Sequence, residues 1–358
     1  MRKIQFYKIV FLVGFWVLCT IFSACYEASV LDFQSGIGGK HYSFFRNLII
    51  GILVCLIGAT LLASVEVLYL GKLLRKKPFG MTLLIKTIVY LMFMIFFISM
   101  VILYIYSAEI NKPLLSADVL RLYVDFLSSA RIVMNLIYWG IACMSALFIL
   151  QINDKFGQGV LINFLLGKYH RPKEENRIFM FMDLKSSTTY AEELGHIKYS
   201  QFIQDCFFDI TDVITRYDAK IYQYVGDEVI LSWNIKEGIE NGNCIKTFFA
   251  YDSLIQSKKK YYKDKYGIIP EFKAGLHLGQ VTVAEVGEIK KELAYHGDVL
   301  NTAARIQGKC NEFKKRLLVS EPMKAILEKQ HLFNFSGIGD VILRGKAKRV
   351  NLYGVEPV

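Results

Sequence analysis

The sequence lacks the features of a disulfide-built or nucleic-acid-binding protein. Its seven cysteines include no Cys-x-x-Cys pair and no Cys/His spacing of the zinc-binding kind, which leaves no basis for a disulfide framework or a structural zinc site. Cys19, Cys55 and Cys143 lie in apolar runs and Cys206, Cys244 and Cys310 in the more polar half; all read as small buried hydrophobes of a reducing compartment. Aromatic and basic residues do not interleave, so the net charge of +11 does not describe a nucleic-acid groove, and no nucleic-acid partner is expected. Much of that charge stands beside apolar runs, at Arg2, Lys3, Lys8, Lys72, Arg75, Lys76 and Lys77, where it sets topology and meets lipid headgroups. The apolar runs carry no repeated charge, polar pore lining or inverted repeat, which argues against a channel or transporter.

What is present is an uneven distribution. The 53% hydrophobic content and mean hydropathy of +0.33 come mainly from residues before Gln151, and 358 residues have room for about two domains. Phe6–Tyr26, Leu48–Leu70, Met81–Tyr106 and Ile132–Gln151 are each long enough to cross a hydrocarbon core, which takes about 20 apolar residues. The first also reads as a signal peptide, with Phe22-Ser23-Ala24-Cys25 as a cleavage box. Lys72, Arg75, Lys76 and Lys77 fall in one short loop without an acidic residue. The positive-inside rule therefore puts the N-terminus, residues 71–80 and everything after Gln151 in the cytoplasm, with the chain in the inner (plasma) membrane. Glu66 and Lys86 are either snorkelling end residues or an ion pair across that loop. The expected organisation is a four-helix transmembrane domain over 1–152, an amphipathic transducer helix and linker over 153–176, and a soluble domain over 177–358. Val160, Leu161, Phe164 and Leu165 carry the linker helix; Gly167 and Arg171-Pro172 end it.

From Arg177 the pattern turns to short strands and helices. Ile178–Met182, Ile221–Val225, Val229–Trp233, Phe272–Leu278 and Val281–Glu285 read as strands, with helices over Ile197–Ile214, Glu240–Tyr262 and Asp298–Asn311. The order βαββαβ implies an α+β, ferredoxin-like domain. In such a sheet Asp183, closing the first strand, and Asp227, at a hairpin tip, can converge. Two carboxylates suffice for hard divalent ions when triphosphate oxygens and water complete the shell. Backbone N–H groups of Leu184–Thr188 precede a helix and suit phosphates. Asn301 and Arg305 share a helical face, where Arg can bind a phosphate and Asn can orient a ribose. Taken singly, each Asp also reads as a turn or cap residue, and the Asn and Arg as surface residues.

Phe181-x-Asp183-x-x-Ser-Ser-Thr188, Val225-Gly226-Asp227-Glu228 and Gly297-Asp298-x-x-Asn301-x-Ala-Ala-Arg305, in that order, resemble the signatures of class III adenylate and guanylate cyclases. Ala274-Gly275-Leu-His-Leu-Gly279 and Leu343-Arg344-Gly345 extend the likeness over roughly Arg177 to Tyr353. The resemblance implies two Mg²⁺ or Mn²⁺ ions on Asp183 and Asp227 with Leu184 beside them. It makes Asn301 and Arg305 the ribose-orienting and transition-state residues. Nucleotide contacts would come from Lys185, Ser186, Ser187, Thr188, Gln223, Gly226 and Ala294, with Arg344, Lys346 or Lys348 on the triphosphate. It implies a nucleoside triphosphate substrate, and a head-to-tail homodimer with the Glu285–Leu293 arm as a candidate contact. The base-reading Lys and Asp or Thr of adenylate cyclases are replaced by Gln223 and Ala294, which leaves guanylate or pyrimidine cyclase open beside ATP, the first expectation. Val225-Gly226-Asp227-Glu228-Val229 is also similar to the Gly-Gly-Asp-Glu-Phe of diguanylate cyclases, but lacks the first Gly, and that family has no downstream Asn-x-x-x-Arg helix. A catalytically inactive nucleotide-binding domain is the remaining alternative.

Overall fold

The computed structural model describes residues 3–34, 44–74, 77–128, 130–157, 159–345 and 349–358. Two compact units divide the chain, 1–155 and 156–358.

The first unit is helical: α1 (Lys3–Gln34), α2 (Phe44–Val65), α3 (Phe79–Ile110), α4 (Ala117–Leu127) and α5 (Ala130–Phe156). The stretches Gln5–Tyr26, Leu48–Leu70, Phe79–Ala108 and Ile132–Phe156 are long and apolar enough to cross a membrane. Small residues Ala59, Ala63, Ala142 and Ala146 are buried beside Leu12, Trp16, Tyr90 and Leu147, letting helix backbones approach closely. Leu18, Phe22, Leu53, Ile57, Met92 and Met134 point outwards, an apolar exterior suited to lipid rather than water. Of the two readings for Glu66 and Lys86, the structure shows the ion pair: the residues are 2% and 6% exposed, and Lys86 Nζ donates to Glu66 Oε1. Glu66 also opens a π-turn over Glu66–Leu70 that continues α2. Helix α4 was not anticipated from the sequence. Its Asp118, Arg121 and Asp125 form a polar stripe opposite Val119, Tyr123 and Phe126, and Tyr123 donates to Ser99 Oγ at 2.7 Å. Arg2, Arg75 and Lys76 lie outside the described residues.

The linker helix expected on Val160, Leu161, Phe164 and Leu165 is present as one short helix, separate from the last apolar helix. Helix α5 reaches Phe156, Gly157 and Gly159 take positive φ of 94° and 73°, and α6 (Val160–Leu165) is a single short helix. Two glycines in the left-handed region stop a helix where apolar spacing alone would carry it through. Strand β1 starts at Lys173, inside the expected linker, because polar residues there are held by backbone pairing, from Lys173↔Val283 to Arg177↔Gly279.

The second unit continues as β1 (Lys173–Leu184), α7 (Ser187–Arg216), β2 (Lys220–Val225), β3 (Glu228–Asn234), α8 (Asn243–Ser257), α9 (Lys259–Tyr266), β4 (Phe272–Val286), β5 (Glu292–His296), α10 (Asp298–Gly308), β6 (Leu317–Ser320), α11 (Glu321–Leu327), β7 (Phe333–Val341) and β8 (Val350–Pro357). The sheet runs β2-β3-β1-β4-β6-β8-β7, with β5 on β4. The block β2-β3-β1-β4 is antiparallel throughout, the strand order of the expected ferredoxin-like unit. Two details differ. The strands expected at Phe272–Leu278 and Val281–Glu285 are one strand, β4, since Gly279 and Gln280 stay paired to β1. The helix expected over Glu240–Tyr262 is α8 and α9, interrupted at Lys258.

Alternation along β1 sorts its side chains. Ile178, Met180, Met182 and Leu184 enter the core with Phe202, Cys206, Trp233, Phe248 and Tyr251, each such large side chain stabilising by about 1.5–3 kcal/mol on burial. Phe179 and Phe181 face the other side with Ile230, Val281 and Ala303. Asp183 continues that second row. Helix α9 is pinned to α7 through Asp205 Oδ2, which accepts from Lys265 Nζ at 2.6 Å, Tyr261 Oη at 2.6 Å and Tyr266 Oη at 2.7 Å. Burial alone would raise the Asp205 pKa; these donors overcome it and hold the carboxyl well below the usual range.

Candidate active site

Asp183, the last residue but one of β1, stands directly across the ladder from Glu228. Asp227 immediately precedes Glu228 in the two-residue turn Gly226-Asp227, where Gly226 supplies a φ of 62°. The turn therefore sets Asp227 beside Asp183, and the convergence expected from the sequence is present. Burial and then repulsion from Asp227 raise the Asp183 pKa, with Lys273 and Gln307 opposing. Burial, Asp183 and Asp227 push Glu228 up to about 7. Asp227 Oδ2 is buried without a hydrogen-bond partner among the described residues. An acidic site with an unsatisfied inward oxygen fits a cation. No group of three His, Cys, Asp or Glu side chains able to hold a metal occurs among the described residues, so any ion here would take further oxygens from backbone and ligand. The Leu184 side chain is buried, leaving only its backbone for such a role.

Lys273 and Gln307, which sequence reasoning missed, both reach Asp183. Lys273 Nζ lies 3.2 Å and Gln307 Nε2 3.0 Å from Oδ2. The antiparallel partner of Asp183 on β4 is Lys273, a relation visible only once the register is known. Gln307 lies two residues past Arg305, on the buried side of α10.

The stretch expected to meet phosphate narrows. Lys185 N–H donates to Glu271 O at 2.8 Å and its Nζ to Glu271 Oε2 at 3.0 Å, so Lys185 is already engaged. Ser186 adopts a φ of 59° and α7 starts at Ser187, leaving the N–H groups of Ser187 and Thr188 in the open first turn. Asn301 is exposed and Arg305 half-buried, on the side of α10 opposite Val299, Ala303, Ile306 and Gln307. Within one chain they turn away from Asp183. The Arg305 guanidinium packs on Gly345, where a Cβ would sit 3.4 Å from Nη2. Arg344 is exposed beside it; Lys346 and Lys348 lie outside the described residues.

The family model for the "Adenylate and Guanylate cyclase catalytic domain" matches residues 170–356, more than half of the chain. The chain belongs to this family. It is similar to adenylate cyclase 2 of Rhizobium meliloti (strain 1021), 28% identical over 218 residues that make up 61% of this chain and 60% of that protein. Adenylate cyclase 1 of the same organism is 24% identical over 182 residues, 49% of this chain but 27% of the relative. The chain thus spans three fifths or less of the length of these curated relatives. A solved bacterial light-regulated adenylyl cyclase shares the fold, with a TM-score of 0.54 at 18% identity, covering 64% of this chain and 66% of that one.

In this cyclase-family domain Gln223 and Ala294, the residues expected where a base would be read, fall on opposite sheet faces. Gln223 pairs with Ile230 after a bulge that leaves Tyr222 unpaired, so Gln223 lies on the Asp183 face. Ala294 pairs with Ala284 and lies on the other face. Tyr295, its neighbour, pairs with Val283 and takes the Asp183 face, packed on Phe179 and Tyr222 with ring centroids 5.3 and 4.9 Å away.

Proposed function

We propose that the chain is a membrane-bound nucleotidyl cyclase that converts a nucleoside triphosphate, ATP first among them, to the 3′,5′-cyclic nucleotide and pyrophosphate at sites shared by two copies. The observation that carries this reading is the meeting of Asp183 and Asp227, with the Asp227 Oδ2 left without a partner among the described residues, while Asn301 and Arg305 turn away on α10. Each chain then offers two incomplete halves that a head-to-tail homodimer completes.

Asp183 and Asp227 would hold two Mg²⁺ or Mn²⁺ ions, on which domains of this family generally depend; such ions would supply acidification of the ribose 3′-hydroxyl and neutralisation of phosphate charge. The 3′-oxygen attacks the α-phosphorus and gives up its proton to solvent water, while the bond from the α-phosphorus to the oxygen bridging to the β-phosphorus breaks and pyrophosphate leaves. Nucleophile and electrophile belong to one molecule, so the protein mainly positions and neutralises. Arg305 of the second copy donates to the phosphate oxygens as charge builds, and Asn301 orients the ribose. The first turn of α7 donates N–H groups to the phosphates. Lys273, already beside Asp183, adds a positive charge. The Glu285–Leu293 arm, whose Ile289 is fully exposed, is a contact for the second copy. The four apolar stretches anchor the chain in the inner membrane, with the N-terminus and the catalytic unit cytoplasmic.

Incubating the purified full chain with ATP, GTP, CTP and UTP and Mn²⁺, and separating products by chromatography, tests the reading. A cyclic mononucleotide plus pyrophosphate supports it and identifies the base; a dinucleotide product from GTP, or no turnover of any of the four, contradicts it.

A further inference from the structure

The geometry points to Gln307 as a positioning residue that fixes the orientation of the Asp183 carboxylate. The inference rests on the cyclase reading only in taking Asp183 as a metal ligand. Gln307 is 7% exposed, and its Nε2 donates to Asp183 Oδ2 at 3.0 Å. Lys273 meets the same oxygen, so among the described residues Oδ1 takes neither contact and is the oxygen left for a cation.

The two neighbours act differently. Lys273 is a cation, so its ammonium competes with an arriving ion for the charge of Asp183. The Gln307 amide is neutral. It orients the carboxylate without cancelling the negative charge an ion needs, and it need not leave when the ion binds.

Its backbone cannot drift either. Helix α10 lies so close to β4 that a Cβ at Gly275 would stand 2.6 Å from Ala303 O and 2.7 Å from Gln307 Cα. One turn later, Cys310 Sγ donates to Ala274 O at 3.3 Å. Gln307 therefore projects from a fixed point on the sheet, and Asp183 is held from outside its own strand.

Mn²⁺ binding to the purified full chain, followed by electron paramagnetic resonance with 3′-deoxy-ATP present, separates this role from packing. The analogue keeps the triphosphate and lacks the attacking hydroxyl. Gln307→Met fills the same volume without the donor and is expected to raise the Mn²⁺ concentration for half-occupancy roughly tenfold or more. Gln307→Asn, which keeps the amide on a shorter stem, is expected to lose less. A Gln307→Met protein that binds Mn²⁺ within about twofold of the parent, whatever its melting temperature, overturns the proposal. Gln307→Leu serves in the same comparison should the methionine variant fail to fold. A parent chain that binds Mn²⁺ with the analogue but forms no cyclic product defeats the cyclase reading and leaves the role of Gln307 standing.

Discussion

Arg305 and Gln307, two residues apart on α10, face opposite sides of the helix: Gln307 is buried on Asp183, and Arg305 is half-exposed against Gly345. One short helix thus serves the Asp183 carboxylate of its own chain with one face and presents a cationic group away from it with the other. A single-chain site would need both on one side.

Gly275 makes that placement possible. A methyl group there would overlap Ala303 O, Gln307 Cα and, closer still, Gln307 N, all of them backbone that cannot rotate away. Gly275→Ala is expected to push α10 off β4, costing about 1–3 kcal/mol of stability or more. Thermal unfolding and turnover should both fall. An unchanged melting temperature would show that the helix has more room than this packing allows.

Asp205 gives the second unit a pH-dependent tie. Its folded-state pKa is depressed, so its contribution to stability is present above the unfolded value of about 3.9 and is lost as pH falls below it. Asp205→Asn should lower stability near neutral pH by roughly 1–3 kcal/mol and flatten the acid limb of the stability profile. Chemical denaturation at several pH values measures both. Parallel profiles for parent and variant would mean the Lys265 and tyrosine donors contribute nothing through this carboxylate.

In the first unit, removing one member of the Glu66–Lys86 pair strands the other. Glu66→Ala should destabilise by about 3–5 kcal/mol, whereas Glu66→Leu combined with Lys86→Met should recover much of it. Thermal unfolding in detergent of the three proteins reads the difference. If the single variant melts with the parent, the pair is not sealed from solvent as the structure has it.

Much of this was legible beforehand, for identifiable reasons. Apolar runs report helices of spanning length because composition alone sets them. The carboxylates could be paired because strand order follows from the βαββαβ pattern, and order is what brings Asp227 to Asp183. Contacts that depend on register were not legible: Lys273 opposite Asp183, Tyr295 rather than Ala294 on the Asp183 face, and Lys185 spent on Glu271. A bulge at Tyr222 or a glycine that admits a helix backbone shifts such partners without altering hydrophobic spacing. Helix α4 leaves no such signal, because its eleven residues fall well short of a span.

The shared site is tested most directly by mixing two disabled chains. Asp227→Ala removes a carboxylate and Arg305→Ala the cationic partner, and each homodimer should lose turnover by roughly a hundredfold or more. Co-expressed and shown by differential tags to form mixed dimers, the pair should regain activity, since one of the two sites then has intact halves. Mixed dimers as inactive as either variant alone would contradict the account.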